Sequence, residues 1–386
     1  MKAVTGAAGR SATPGDTSGG TAPGSRRQTM RAIVQAGYGF ADVLHLAEIG
    51  RPAAADGEVL LRVHAAGLDR GTWHLMAGQP YVIRLVSGLR APKNPVPGLD
   101  VAGTVVAAGA DVTGFAVGEE VFGIGQGSFA EYARARQDKL ARKPASLTFG
   151  QAAVLAVSGL TALQGLRDAG RLQPGQHVLI TGASGGVGTY AVQIAKALGA
   201  QVTGVCSTAK TDLVTSIGAD HVLDYTRDDF ADGSQRYDLI LDLAGNSPLA
   251  RLQRALTPAG TLVLAGGEDG GRWTGMGRQI RALAHSPFTR QRLTMLISRQ
   301  RRADLETLAQ LIEAGQLTPV IGKTYPLHQA PDAMRYLQAG HARGKLVLTV
   351  TGPDEPPRAP DQRAGARRPE SAVTAPVGPC SRPELL

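Results

Sequence analysis

A glycine-dense turn between an apolar run and a helical pattern constrains this chain more than any other stretch. The run His177–Thr181 predicts a buried strand, and the turn Gly182–Gly188 follows it at once. A helix with one apolar face is then predicted up to Leu198, and Gly199 stands where a helix-capping glycine belongs. Strand, tight turn and helix in this order are typical of a dinucleotide-binding unit.

The glycines of the turn fit a dinucleotide-binding pattern. Ala183, Gly185 and Gly188 occupy the small-residue positions of G-x-G-x-x-G, with alanine in the first position. The missing side chain at Gly185 lets the backbone approach a pyrophosphate, and Gly188 lets helix and strand pack closely. The positive end of the helix favours the phosphate charge. We therefore expect the whole turn to hold a cofactor, through Ala183, Ser184, Gly185, Gly186, Val187 and Gly188.

Strand and helix patterns alternate from this turn onwards. The predicted strands are His177–Thr181, Gln201–Cys206, His221–Asp224, Asp238–Leu243, Thr261–Ala265 and Arg292–Ile297. Helical patterns cover about 188–198, 211–217, 248–257 and 303–314. Six strands joined by crossover helices predict an α/β fold with a doubly wound parallel sheet, in which ligands lie at the carboxyl ends of the strands.

A different pattern precedes this unit. Short strands with Gly and Pro between them predict a β-rich domain over 30–150, with strands at Met30–Gln35, Val43–Ile49, Glu58–Ala65, Val101–Ala108, Val117–Phe122 and Phe129–Ala135. The nucleotide domain is then expected over 151–313, and 314–351 return to the first domain with strands Val320–Pro326 and Lys345–Val350. Residues 1–29 and 352–386 lack apolar runs, which predicts disordered tails.

Composition narrows the expected partners. No apolar run is long enough to span a bilayer, so no membrane partner is expected. The two cysteines, Cys206 and Cys380, favour neither a disulfide framework nor a zinc ribbon, and a cytoplasmic protein is the simplest interpretation. The net charge of +9 includes eight arginines between 270 and 302. Few aromatic residues interleave with them, so a solvated surface is favoured over a nucleic-acid site.

Five stretches carry a family resemblance, at Pro97–Val105, Gly159–Leu163, Gly175–Lys196, Gly218–Tyr225 and Gly344–Leu348. Over about Met30–Val350 the chain resembles the medium-chain dehydrogenase/reductase superfamily, and within it the zinc-independent quinone oxidoreductase (zeta-crystallin-like) branch. The resemblance implies a GroES-like catalytic domain beside a Rossmann domain that binds a nicotinamide cofactor. It also implies a homodimer, often formed through the edge strand at Arg292–Ile297.

The same resemblance bears on zinc. Zinc-containing relatives place a cysteine in the loop where this chain has GLDRGTWH, and a His-Glu pair where it has Leu99 and Asp100. Asp69 and Leu99 therefore stand in ligand positions, and the four-cysteine structural lobe is missing. A catalytic zinc needs about three N, S or O ligands. His64, His74 and Asp69 could supply some, but we expect no metal.

The turn after the second strand of the nucleotide domain indicates which cofactor binds. A site that prefers NAD usually carries an acid about 20 residues after the glycines. This chain has Ser207 and Thr208 there, then Lys210, and no acid before Asp212. In the family that the chain resembles, Ser207, Lys210 and Tyr225 correspond to residues that contact the 2′-phosphate. We therefore expect NADPH.

Chemistry without zinc favours transfer of a hydride to a quinone or an α,β-unsaturated carbonyl, and the resulting anion needs a hydrogen-bond donor and a proton. The resemblance places Thr161 near the nicotinamide. Tyr81, Asp69 and His74 are the candidate catalytic groups, although Asp69 also suits a cap of the following turn and Tyr81 a packed lid residue. Two alternatives stay open: carbonyl reduction or alcohol oxidation of the alcohol dehydrogenase type, and a non-catalytic protein that binds NADPH or RNA.

Overall fold

The first lobe consists of short, mostly antiparallel strands. The computed structural model of the chain describes residues 28–266, 276–340 and 342–350, so nearly all of both predicted tails lies outside it. Helices α1 (Arg70–Ala77) and α2 (Arg84–Ser87) lie in the long connection that follows the third strand. The strands are β1 Thr29–Val34, β2 His45–Gly50, β3 Glu58–Leu68, β4 Asp100–Ala108, β5 Glu120–Ile124, β6 Tyr132–Arg136 and β7 Leu140–Arg142.

Three strand predictions in this lobe are displaced, and one of them, Phe129–Ala135, is observed at Tyr132–Arg136. The strand predicted at Val43–Ile49 begins at His45, because residues 41–43 form a 3₁₀ turn. The strand predicted from Val117 begins at Glu120, and Val117 lies in a turn with its side chain 66% exposed. The apolar residues of the segments that begin at Val43 and Val117 indicated strands, but the first residues of each segment form a local turn.

The second lobe is the predicted doubly wound sheet. Its strands are β8 His177–Thr181, β9 Gln201–Cys206, β10 His221–Asp224, β11 Tyr237–Asp242, β12 Leu256–Leu264 and β13 Arg292–Met295. A short helix, α3 (Phe149–Ala152), precedes this lobe and packs against β3 and β4 of the first lobe. The helices of the second lobe are α4 Ala156–Gln164, α5 Gly186–Ala197, α6 Thr211–Ser216, α7 Leu249–Ala255, α8 Gly277–His285 and α9 Arg302–Glu313. Within the described residues the six strands pair in the order β10-β9-β8-β11-β12-β13, all parallel. The order reverses between β8 and β11, which is where such a sheet forms its ligand crevice.

The end of the chain returns to the first lobe, as the sequence predicts. Strand β14 (Ile321–Pro326) pairs in parallel with β15 (Lys345–Thr349), and helix α10 (Ala330–Gln338) joins them. Strand β15 then pairs with β3, with Leu346 opposite Leu68. This pairing extends the large sheet of the first lobe, in which β6 also pairs with β3.

Helix α5 is buried more completely than its predicted apolar stripe requires. Tyr190 and Val192 are fully buried, as are the predicted core positions Ala191 and Ile194. Its second face packs against α4, so the sheet covers only one side of the helix. At its end Gly199 has φ of +79°, and its N–H bonds back to the carbonyl of Lys196, which confirms the predicted capping glycine.

The main hydrophobic core is continuous between the lobes. It joins Ala102 and Phe122 of the first sheet to Leu155, Ile180 and Tyr190 of the second lobe. The division of the chain near residue 150 therefore stays a prediction. In the described part of the chain no helix is long and apolar enough to cross a bilayer.

Candidate active site

The turn after β8 is a backbone cradle with no side chain at its closest approaches. Gly182 has φ of +67°, a conformation that favours glycine. A Cβ on Gly188 would lie 2.2 Å from the carbonyl oxygen of Gly182, so only glycine fits there. Gly185 caps α5 without a side-chain hydrogen bond, and the first N–H groups of a helix have no intrahelical carbonyl. The geometry fits a bound pyrophosphate, and contact through Ala183–Gly188 stays a prediction.

The floor of the crevice is a hydrogen-bonded polar group at the ends of β8 and β11. Thr181 Oγ1 donates to Asp242 Oδ1 at 2.7 Å and accepts from the N–H groups of Leu243 and Ala244. Asp242 is fully buried and forms an ion pair with Arg278. Arg278 belongs to the arginine-rich run between 270 and 302, for which the sequence pattern favours a solvated surface. That interpretation is wrong for this arginine, because its side chain is 12% exposed and neutralises a buried acid.

The residues predicted for the 2′-phosphate gather around the end of β9. The N–H of Lys210 donates to the carbonyl of Ser207, and the N–H of Tyr225 donates to that of Cys206. Tyr225 has a side chain that is 62% exposed. The Lys210 ammonium donates to the carbonyl of Ala342 at 3.1 Å, so it reaches across to the returning segment. The structure thus brings Ser207, Lys210 and Tyr225 to one edge of the sheet.

The sequence pattern did not indicate one acid at this edge, Asp224. Asp224 ends β10, directly beside the end of β9. The hydroxyl of Thr208 and the N–H of Thr226 donate to its carboxylate and hold its pKa below the ordinary value. The residues that directly follow β9 include no acid before Asp212, because Asp224 belongs to the neighbouring strand β10.

Asp69 caps helix α1. Its Oδ1 accepts from the N–H of Thr72 at 2.8 Å and its Oδ2 from the Thr72 hydroxyl at 3.1 Å. The carboxylate is buried and follows β3 directly. Of the two roles that the sequence suggests for Asp69, the structure directly supports the cap. Its prediction as a catalytic group is not tested by these contacts.

The other predicted groups on the substrate side are held by local contacts. Tyr81 lies half-buried in a 3₁₀ turn, with the Arg84 guanidinium 4.7 Å from its ring centroid. His74 Nδ1 lies 2.7 Å from the carbonyl oxygen of Gln79. Thr161 lies on α4 and donates to the carbonyl of Val157. These contacts fix each side chain but do not by themselves assign a chemical role.

A buried charged cluster joins the two lobes beside the cradle. Lys345 Nζ donates to Asp100 Oδ2 at 3.1 Å and to Ser158 Oγ at 3.0 Å. Asp100 is fully buried, and the other two are 2% exposed. A Cβ on Gly186 would lie 2.9 Å from Cδ of Lys345, so the lysine stem crosses the start of α5. Strands from the first lobe and helices from the second therefore meet at one ion pair.

The electrostatics of this cluster depend on burial. Loss of water raises the pKa of Asp100 to about 6, with Lys345 opposing the shift and Asp69 adding to it. The N–H of Val157 donates to the other Asp100 oxygen at 2.7 Å. Both residues lie in stretches that carry the family resemblance, but no local pattern predicts that they pair. The available signal was an ionisable residue at the start of each of two apolar strands.

Two sequence families match this chain. The Alcohol dehydrogenase GroES-like domain matches residues 55–145, which hold most of the first lobe, and Zinc-binding dehydrogenase matches residues 217–348. The NAD(P)H oxidoreductase RTN4IP1 of Mus musculus is 34% identical over 327 residues, covering 76% of this chain and 82% of its own. This chain belongs to the medium-chain dehydrogenase/reductase family. It is a nicotinamide-dependent oxidoreductase, and the predicted family and fold are confirmed.

Other members of the family resemble the chain along most of its length. The 2-methylene-furan-3-one reductase of Solanum lycopersicum is 30% identical, covering 83% of this chain and 79% of its own. Among solved structures, the quinone oxidoreductase of Coxiella burnetii superposes with a TM-score of 0.76 at 29% identity. It covers 84% of this chain and all of its own. The resemblance includes both lobes and therefore the crevice between them.

Zinc, which some members of the family hold, does not fit the residues present. Both carboxylate oxygens of Asp69 are bonded to Thr72, and Leu99 offers no donor atom. Among the residues that the structure describes, no three His, Cys, Asp or Glu side chains cluster as a metal site requires.

Proposed function

We propose that this protein reduces a quinone or an α,β-unsaturated carbonyl compound with NADPH and without zinc. The observation that carries the proposal is the pairing of a dinucleotide cradle at α5 with a substrate side whose described residues hold no zinc donor set. The relatives support the acceptor class. One is named as a quinone oxidoreductase, and the other is named for a 2-methylene-furan-3-one, which is itself an α,β-unsaturated ketone.

The preference for NADPH rests on the edge formed by β9 and β10. Lys210 supplies a cation and Ser207 a hydroxyl where an NAD site carries an acid. Asp224 does not contradict this preference, because its carboxylate accepts from Thr208 and Thr226. Arg343 adds a second cation nearby, paired with Asp212 at 2.7 Å. The edge thus combines cations and hydroxyl groups suited to a phosphate.

Hydride transfer is the chemistry that bound NADPH supplies. The protein must then stabilise negative charge on the acceptor oxygen and allow a proton to reach the product. We propose that Tyr81 donates a hydrogen bond to this oxygen and that Thr161 orients the nicotinamide side. An ionised carboxylate has no proton to donate, so the proposed role of Asp69 is to position the start of α1. Tyr81 or solvent then supplies the proton that completes the product.

The partner proposals follow from the same sheet. We propose a homodimer formed through β13, which among the described strands lies at the edge of the six-stranded sheet and pairs on one side only. We do not propose a nucleic-acid partner, because Arg278 and Arg292 of the arginine-rich run bond within the protein.

A turnover screen tests the proposal. Chelator-treated protein is mixed with NADPH or NADH and a panel of quinones and enones, and in separate assays with NADP⁺ or NAD⁺ and simple alcohols, and cofactor absorbance is followed. We expect turnover of quinones or enones with a higher kcat/KM for NADPH. Equal or better kcat/KM with NADH would remove the cofactor preference. Alcohol oxidation that depends on added zinc would favour the alcohol dehydrogenase alternative, and a salt-sensitive RNA shift without turnover would favour the binding protein.

A further inference from the structure

One short segment exposes an unusual group of aliphatic side chains. Val82, Leu85, Val86 and Leu89 are 40%, 68%, 72% and 70% exposed. We call these four residues the apolar ridge. Single exposed apolar residues are normal on a protein surface, but a contiguous group marks an interaction site. The ridge lies on and beside α2, in the connection between β3 and β4.

The ridge is held so that its polar groups face the protein and its apolar groups face water. Arg84 lies between the rings of Tyr38 and Tyr81, 4.6 and 4.7 Å from their centroids. Its Nε donates to the carbonyl of Gly78 at 3.0 Å. Ser87 Oγ lies 2.7 Å from the Tyr38 hydroxyl. The segment therefore presents its aliphatic side chains on a fixed backbone, which is the reverse of the usual arrangement on a soluble surface.

Charge indicates what covers the ridge. The stretch from Arg70 to Leu99 has four Arg or Lys residues and no acid. Arg90 and Lys93 are exposed directly beside the ridge. A second copy of this chain placed symmetrically on the ridge would bring these cations against each other. Aliphatic side chains with two exposed cations beside them suit the interface of an anionic bilayer instead.

We propose that the apolar ridge docks this protein on an anionic lipid bilayer. Leu85, Val86 and Leu89 enter the interfacial layer, while Arg90 and Lys93 lie against lipid phosphates. The sequence predicts no membrane partner because it lacks a spanning segment, and a surface contact needs none. The inference goes beyond the proposed reduction, and vesicle binding is measured without turnover. The two therefore fail separately.

Vesicle flotation of the full chain tests the docking surface. We expect the protein to float with vesicles of phosphatidylglycerol and phosphatidylcholine, and far less with phosphatidylcholine alone. Replacing Arg90 and Lys93 by Gln lowers partitioning by roughly fivefold for each cation. The double variant Leu85→Ser, Leu89→Ser lowers it at least about tenfold, because buried CH₂ groups are lost. Circular dichroism checks that each variant is folded.

Matched variants on other elements of the chain make the test specific. Ile280 and Leu283 are 54% and 41% exposed on α8, and Arg254 and Arg290 are exposed cations. Their replacement by Ser and by Gln leaves vesicle binding unchanged. Equal loss in these controls would overturn the proposal, as would absence of wild-type binding to anionic vesicles. Sedimentation velocity adds a third outcome: self-association abolished by Leu85→Ser, Leu89→Ser would make the ridge an interface between copies and overturn lipid docking.

Discussion

The cradle and the buried cluster beside it are built by different means. The cradle is one contiguous turn, in which Gly182 and Gly188 meet through backbone atoms alone. The cluster is assembled from segments far apart in the chain, with Asp100 and Lys345 joined at 3.1 Å. Contiguous backbone geometry is encoded locally, and a buried ion pair between distant strands is not. The cradle was therefore predicted from the sequence, while the cluster beside it was not.

The cradle and the buried cluster also differ in what stabilises them. The turn needs no charge, because its N–H groups and the helix end supply the positive potential. The cluster of Asp100, Lys345 and Ser158 buries two charges, and burying charges costs free energy unless each is paired. Removing one partner of the cluster should therefore lower the stability of the protein, and adding one atom to the cradle should weaken cofactor binding.

The largest expected effect is loss of the buried pair. Lys345→Met and Asp100→Asn should each lower the free energy of unfolding by about 3–5 kcal/mol, since each leaves a buried partner uncompensated. The double variant should lose less than the sum of the two. Urea unfolding measures all three. The control Lys196→Met breaks a half-exposed pair with Asp220 and should cost at most about 1 kcal/mol. An additive double variant would show that the pair is not coupled.

The next effect probes the cradle. Gly188→Ala should weaken NADPH binding about 100-fold or more, a loss of about 2.7 kcal/mol, because its Cβ forces the turn apart. Titration of NADPH by fluorescence measures the dissociation constant. Gly50→Ala is the matched control, since nothing lies within 4 Å of a Cβ placed there. Unchanged affinity in Gly188→Ala would place the cofactor elsewhere.

A third change tests the substrate side. Tyr81→Phe should lower kcat about 100-fold, the lower range for loss of a positioned proton donor, with NADPH affinity unchanged. Asp69→Asn retains an oxygen that can accept from Thr72, so its kinetics should change little. Tyr336→Phe, on α10, serves as a control. If Tyr81→Phe has the kinetics of the wild-type protein, solvent rather than Tyr81 supplies the proton.

The smallest effect distinguishes the two nicotinamide cofactors. Lys210→Ala should raise the KM for NADPH roughly tenfold, as expected for loss of one charge-assisted contact, and leave the KM for NADH unchanged. Lys323→Ala is a control lysine in the return segment, stacked on Tyr325. Steady-state kinetics with both cofactors provides the comparison. A parallel rise in both KM values would mean that Lys210 supports the loop through Ala342 instead of the phosphate.

The sequence by itself determined the elements of the second lobe and the course of the chain. The strands of the second lobe and the capping glycine at Gly199 follow from local pattern, although β12 begins at Leu256, five residues before its predicted start at Thr261. Such features need only residues close in sequence, since period, glycine and capping act over a few positions.

Only the tertiary structure decided which charges meet. It paired Asp100 with Lys345 and Asp242 with Arg278, and it brought Asp224 beside Ser207. It also turned Leu85 and Leu89 towards water, although both are apolar. Burial and pairing are properties of atoms brought together from distant segments, so no local pattern records them. The glycine turn could be predicted from the sequence because it acts through backbone atoms of consecutive residues. The ion pairs beside it could not, because each needs side chains from two distant segments.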